Sequence, residues 1–139
     1  MRIRIKTKVN CSLETAKSKF NQDLFEKLSP PLSNLLIKRF DGCKKGDEIH
    51  LDISIAKIIQ NEWVSVITAD HSDESEFYFI DEGLKLPLPL SFWKHIHHVV
   101  KLDENHCLVI DDITYECSPP LIGKILYPTF YSLFAYRIP

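Results

Sequence analysis

The sequence predicts an α+β domain: a curved antiparallel sheet of about six to seven strands, two short helices after the first strand, and one long C-terminal helix. Three observations carry that reading. Apolar and polar residues alternate over most of the chain, the two-residue period of strands with one dry face. After Pro119-Pro120 the apolar residues recur at helical spacing instead. Between the first strand and the rest lie a capped helical segment and a second helical stripe that prolines stop. The chain has 139 residues, which suits one domain covering 1–139.

The first strand is Arg2 to Val9, with Ile3, Ile5, Thr7 and Val9 on one face and Arg2, Arg4, Lys6 and Lys8 on the other. The basic face reads as solvated, its charges also discouraging edge-to-edge pairing. Ser12 is a good N-cap and Glu14 suits the first turn of a short helix that carries Ala16 and Phe20 on one face. A second short helix is expected from Asn21, with Leu24, Phe25 and Leu28 as its stripe and Pro30-Pro31 as its end.

Leu35 to Phe40 then leads through Asp41-Gly42-Cys43-Lys44-Lys45-Gly46-Asp47, a glycine-punctuated hairpin connection, into a strand with Ile49, Leu51, Ile53 and Ile55 on one face. The two glycines lack the spacing and following helix of a phosphate-binding loop. Strands are expected over Glu62 to Ala69, Ser75 to Glu82, Phe92 to Leu102 and Cys107 to Cys117, with an apolar, proline-containing loop from Gly83 to Ser91. The C-terminal helix would bury Leu121, Ile122, Ile125, Leu126, Phe130, Leu133 and Phe134, with Pro128 as a kink or break.

Composition narrows the function. Seventeen basic against nineteen acidic residues give a net charge of −2, unsuited to gripping a polyphosphate, so no nucleic-acid partner is expected. No apolar run approaches the roughly 18 residues that cross a bilayer, so no stable membrane insertion is expected. The N-terminus lacks the apolar stretch of an export signal. Cys11, Cys43, Cys107 and Cys117 show no C-x-x-C spacing, which argues for free thiols and a cytoplasmic address.

The chemistry concentrates in Trp93-Lys94-His95-Ile96-His97-His98 and Ile110-Asp111-Asp112-Ile113-Thr114-Tyr115. Strand parity puts Trp93, His95, His97 and Val99 on one side. A turn at Asp103 to Asn105 then sets His97 opposite Asp111, His95 opposite Ile113 and Trp93 opposite Tyr115. Phe77, Phe79 and Asp81 of the preceding strand are expected on the same face. Aromatic walls with a few convergent polar groups are what a small-molecule pocket needs. His97 oriented by Asp111 could act as general acid or base, so these two are the catalytic candidates. Cys107 and Cys117 have the right parity, but nothing marks either as an activated nucleophile. Asp81, His95, His97 and Asp111 also offer metal-ligand chemistry, although the same groups can satisfy one another as a buried network. The expectation adopted is no metal and no cofactor.

The segments Asp41-Gly42-Cys43-Lys44-Lys45-Gly46-Asp47-Glu48, Phe79-Ile80-Asp81-Glu82, Trp93-Lys94-His95-Ile96-His97 and Ile110-Asp111-Asp112-Ile113-Thr114-Tyr115, taken in this order, resemble the START-like (SRPBCC) superfamily. That superfamily includes the birch-pollen allergen, polyketide cyclases and lipid-transfer domains, and the likeness is greatest to its small bacterial members. The resemblance implies a helix-grip fold, in which a curved sheet wraps a C-terminal helix around a hydrophobic cavity. The sequence departs from that pattern in the apolar loop Leu84 to Leu90 and in its short last helix.

The expected function is binding of a small hydrophobic or amphipathic molecule (a lipid, polyketide or isoprenoid-like compound) in that cavity, without chemistry. Leu51, Ile53, Phe77, Phe79, Trp93, Ile113 and Phe130 would supply apolar wall, each Å² removed from water contributing roughly 25 cal/mol. Asp81, His95, His97, Asp111 and Tyr115 would orient the ligand. The alternatives are a cyclase or dehydratase using His97 and Asp111, or a protein-interaction or quinone-chaperone module. An exposed apolar patch at Leu84 to Leu90 would favour the last.

Overall fold

A computed structural model describes residues 1–20, 33–55 and 59–135, with side chains described over 1–20, 36–52, 62–132 and 135. The elements run β1 (Arg2–Val9), α1 (Leu13–Lys19), β2 (Ser33–Phe40), β3 (Glu48–Ile55), β4 (Ile59–Ser72), β5 (Glu76–Lys85), β6 (Leu90–Asp103), β7 (His106–Cys117) and α2 (Pro120–Ala135). The strands form one seven-stranded sheet in the order β1-β7-β6-β5-β4-β3-β2, and every neighbouring pair is antiparallel. From β2 onward the sheet is therefore a meander, and β1 returns to pair with the last strand. The helix expected from Asn21 to Leu28 lies outside the described residues.

Local chemistry accounts for most of these elements. Along β1, Ile3 and Ile5 are buried while Arg2, Arg4, Lys6 and Lys8 face solvent, as alternation requires. The Ser12 side chain accepts the Thr15 amide at 3.1 Å and so caps α1, with Glu14 in the first turn. The β2–β3 connection turns at Gly42 (φ +141°), where a Cβ would meet Asp47 Oδ2 at 2.6 Å. The tip is tied to β4 by the Gly46 amide on Ile67 O and the Ile67 amide on Asp47 O, each 2.8 Å.

Three expectations change. The stretch Gly83 to Ser91 is not one long loop: β5 runs to Lys85 and β6 begins at Leu90, leaving only four residues between them. Leu90 is buried, whereas Leu84 and Leu88 are exposed. Pro87 and Pro89 fall in the short connection, just outside both strands, where proline removes no ladder bond. The C-terminal helix continues through Pro128 as one element. Pro128 lies on its exposed side, where water is available to the carbonyl that lacks an amide partner. Leu121 and Ile125 are on the outer face of that helix, 66% and 64% exposed. Ile122, Leu126, Tyr127 and Phe130 make the packed stripe instead.

The dry face of the sheet holds three apolar clusters. Under α2, Ile3, Ile5, Leu90, Trp93, Ile113, Tyr115 and Cys117 pack with the helix stripe. Under α1, Leu13 and Ala16 pack on Phe77, Val99 and Cys107. Toward the β2 edge, Ile49, Ile67 and Phe79 form the third cluster, with Phe20, Phe40 and Leu51 against it. Bulges in the β2–β3, β4–β5 and β6–β7 ladders break the register and add local twist, which helps the long strands curve around these clusters. The two helices thus cover opposite ends of one face.

Candidate functional site

The β6–β7 ladder pairs Trp93 with Tyr115, His95 with Ile113, His97 with Asp111 and Val99 with Val109. On the other side of β6, Phe77, Phe79 and Asp81 pair with Val99, His97 and His95. The expected register and the shared face are both present. Along β6 the order Trp93, His95, His97, Val99 runs from the cluster under α2 to the cluster under α1. The two histidines fall between those clusters, with Asp111 beside them on β7 and Asp81 on β5. A polar seam therefore crosses three adjacent strands of a largely apolar face.

Its geometry is specific. His95 and His97 are buried, at 3% and 5% exposure, and their rings stack with centroids 3.6 Å apart and planes at 26°. Phe79 stacks on the far side of His97 at 4.3 Å and 13°. Nε2 of His95 lies 2.8 Å from Oδ1 of Asp111. With Asp111 ionised, Nε2 carries the proton and donates it, which fixes the His95 tautomer. From the sequence, Asp111 is expected to orient His97, its partner in the ladder. The His95–Asp111 bond runs diagonally across the ladder, as an aspartate side chain leaning along its strand allows.

The remaining expected residues are distributed around the seam. Trp93 is buried under α2, its ring 6.1 Å from Phe130 and 5.0 Å from Trp63, in edge-to-face contacts. Ile113 is fully buried in the same cluster. Phe77 belongs to the α1 cluster, while Phe79 and Leu51 belong to the third. The side chain of Ile53 lies outside the described residues. Tyr115 is fully buried, and its hydroxyl donates to the Gly123 carbonyl at 2.7 Å. That bond makes Tyr115 a clamp between β7 and α2.

Two further aromatics, Trp63 and Phe20, reach the site although the sequence does not place them there. Trp63 on β4 pairs with Leu51 and reaches Trp93 from across the sheet. Its parity with Ser65 and Ile67 was the available signal. Phe20 closes α1 and meets Phe77, Phe79 and His97 edge-on at 5.3, 5.7 and 6.4 Å. In the sequence Phe20 falls on the stripe of α1, and nothing local shows that α1 docks over the histidines.

Burial makes three of the four thiols poor nucleophiles. All four cysteines are free, and burial pushes Cys43 up to about 12 and raises Cys107 and Cys117 as well. Each of these three is a neutral thiol at physiological pH. The chemistry the face can offer is hydrogen bonding, proton transfer or ligation through imidazole and carboxylate.

No protein-family model matches the sequence. A 73-residue stretch, 50% of this chain, is 32% identical to mouse beta,beta-carotene 15,15'-dioxygenase, of whose length it spans 12%. Solved structures match nearly end to end. A START superfamily protein from Mycobacterium smegmatis superposes with a TM-score of 0.69 at 15% identity, covering 98% of this chain and 92% of that one. A protein from Arthrobacter aurescens gives 0.74 at 11% identity, covering 98% and 80%. Norcoclaurine synthase from Thalictrum flavum, in truncated form, gives 0.67 at 15% identity, covering 99% and 89%. At such identities the likeness is one of fold, and the chain has a START-like fold.

Proposed function

We propose that this chain is a single START-like domain that binds a small hydrophobic or amphipathic molecule in a cavity between the sheet and α2. The observation that supports the reading most directly is the polar seam. Histidine and aspartate side chains are rarely placed in the middle of an apolar face, because desolvating them costs free energy unless they are paired. Here they stand between the two helices, flanked by Phe79 on one side and by Trp93 and Trp63 beyond. Apolar surface would supply the affinity. His95, His97, Asp111 and Asp81 would select ligands carrying a hydroxyl or carbonyl.

A lipid, polyketide or isoprenoid-like compound fits this division of labour, and a cytoplasmic carrier is the matching role. No helix among the described residues is long and apolar enough to cross a membrane. A second reading rests on the His95–Asp111 pair. An imidazole held by a carboxylate is the arrangement of a general acid–base, and norcoclaurine synthase is an enzyme of this fold. In that reading the oriented histidine is His95, with His97 stacked on it.

The test is extraction of the purified chain with organic solvent and mass spectrometry of what is released. An apolar or amphipathic compound in near-stoichiometric amount is expected. The sequence has two tryptophans, Trp63 and Trp93, both at the site, so rebinding of the compound should change intrinsic fluorescence. Absence of a bound compound, together with unchanged fluorescence on titration with fatty acid and isoprenoid probes, would overturn the reading.

A further inference from the structure

We propose that His95, His97 and Asp111 form a binding site for a zinc-type divalent transition-metal ion, with one coordination position left open to water or to an oxygen of a bound molecule. Their ligand atoms, two imidazole nitrogens and a carboxylate oxygen, all lie within 4.8 Å of one another. Tetrahedral zinc, with bonds of about 2.0–2.2 Å, wants its ligands about 3.4 Å apart. His95 Nε2 and Asp111 Oδ1 are already 2.8 Å apart. Small side-chain rotations would bring all three to one ion.

The sheet supplies the preorganisation. Two histidines two residues apart project from the same side of β6, and Asp111 sits directly across from His97 on β7. Ladder hydrogen bonds hold those Cα positions, so assembling the site orders little that is not already ordered. The electrostatics agree with the geometry. The two imidazoles stack in a buried site, each offering a ring nitrogen. A divalent ion binds them as neutral ligands, and the single carboxylate offsets half its charge. Two nitrogens and one oxygen select a borderline ion over magnesium or calcium, which prefer all-oxygen shells.

The molecule offers an internal contrast. His71, Asp73 and Glu76 also bring ligand atoms together, but His71 and Asp73 are exposed. Oδ1 of Asp73 there accepts the Ser75 and Glu76 amides at 2.8 and 2.9 Å, as a hairpin turn requires. The buried cluster has no such turn to hold together. It also stands independently of the ligand proposed above, since the ion needs only the three side chains.

The experiment uses the full chain, stripped of metal with a chelator and titrated with cobalt(II) as a spectroscopic substitute for zinc. A visible d–d band saturating at one equivalent, abolished by added zinc, is expected, with a raised midpoint of thermal unfolding. His95→Ala, His97→Ala and Asp111→Asn should each weaken zinc by at least about 100-fold, beyond the roughly 10–100-fold cost of losing an outer-shell partner. His71→Ala should leave affinity unchanged. Circular dichroism identifies any variant that fails to fold, and the wild-type spectrum then decides. Wild-type protein that shows no one-to-one cobalt band, or a band that only His71→Ala removes, would overturn the site. Neither outcome depends on whether solvent extraction finds an organic ligand.

Discussion

Nε2 of His95 hydrogen-bonds Asp111 at 2.8 Å even though the residue directly across the ladder from Asp111 is His97. This diagonal contact orients the His95 ring of the stacked pair. It also couples β6 to β7 on the dry face, where the His95 side chain is 4% exposed and that of Asp111 18%.

Removing the carboxylate should therefore be felt through His95. In chelator-treated protein, Asp111→Ala is expected to cost about 1–3 kcal/mol, the range for orphaning a buried polar group. A double-mutant cycle with His95→Ala should return a coupling of about 0.5–3 kcal/mol, and the cycle with His97→Ala a smaller one. Urea unfolding of the six proteins measures both. A larger coupling to His97 would mean that the straight pair, not the diagonal one, governs the seam.

Tyr115→Phe deletes a hydroxyl whose acceptor is the Gly123 carbonyl of α2, at a site that is fully buried. A loss of about 1–2 kcal/mol is expected, together with faster amide exchange in α2 than in β7. Gly123→Ala should act in the opposite direction, by about 0.5–1 kcal/mol. A Cβ there meets Met1, Tyr115 and Cys117 at ordinary contact distances of 3.5–3.8 Å. Destabilisation by Gly123→Ala would show that helix and sheet approach more closely than this.

Asp73 connects the β4–β5 hairpin to acid stability. The bond to His71, the Ser75 and Glu76 amides and the Ser75 hydroxyl hold its carboxyl well below its ordinary value of 3.8. A depressed carboxyl contributes stability above its unfolded value and loses it as pH falls toward the folded one. Wild-type stability should thus decline more steeply below about pH 3.8 than that of Asp73→Asn. The variant should be the less stable of the two at neutral pH. Parallel pH profiles from thermal melts would contradict the assignment.

Thiol labelling provides a check on packing. Cys107 and Cys117 are buried with raised thiols, and Cys43 is pushed up to about 12. Cys11 lies half-buried ahead of the Ser12 cap. At pH 8 the native chain should expose one fast-reacting thiol to a disulfide reagent, and denatured chain all four. Fast reaction of Cys107 would mean that α1 does not cover the sheet as described.

Much of this could be read from residue order. Alternation along β1, β6 and β7 is local, since successive strand side chains point to opposite faces wherever the strand ends up. Parity therefore placed Trp93, His95, His97, Phe79 and Asp81 on one face, and a single turn position set the register against Asp111 to Tyr115. The START-like resemblance followed from those same segments, and the solved structures bear it out at the level of fold. Other features depend on contacts between residues far apart in the chain. Ile122, Leu126 and Phe130 face inward, rather than Leu121 and Ile125, because of the angle at which α2 meets β7. Phe20 reaches His97 because α1 docks where it does. Asp111 reaches His95 diagonally through side-chain lean, to which a two-residue period is blind. Periodicity assigns faces, whereas docking angles and rotamers choose which atoms on a face touch.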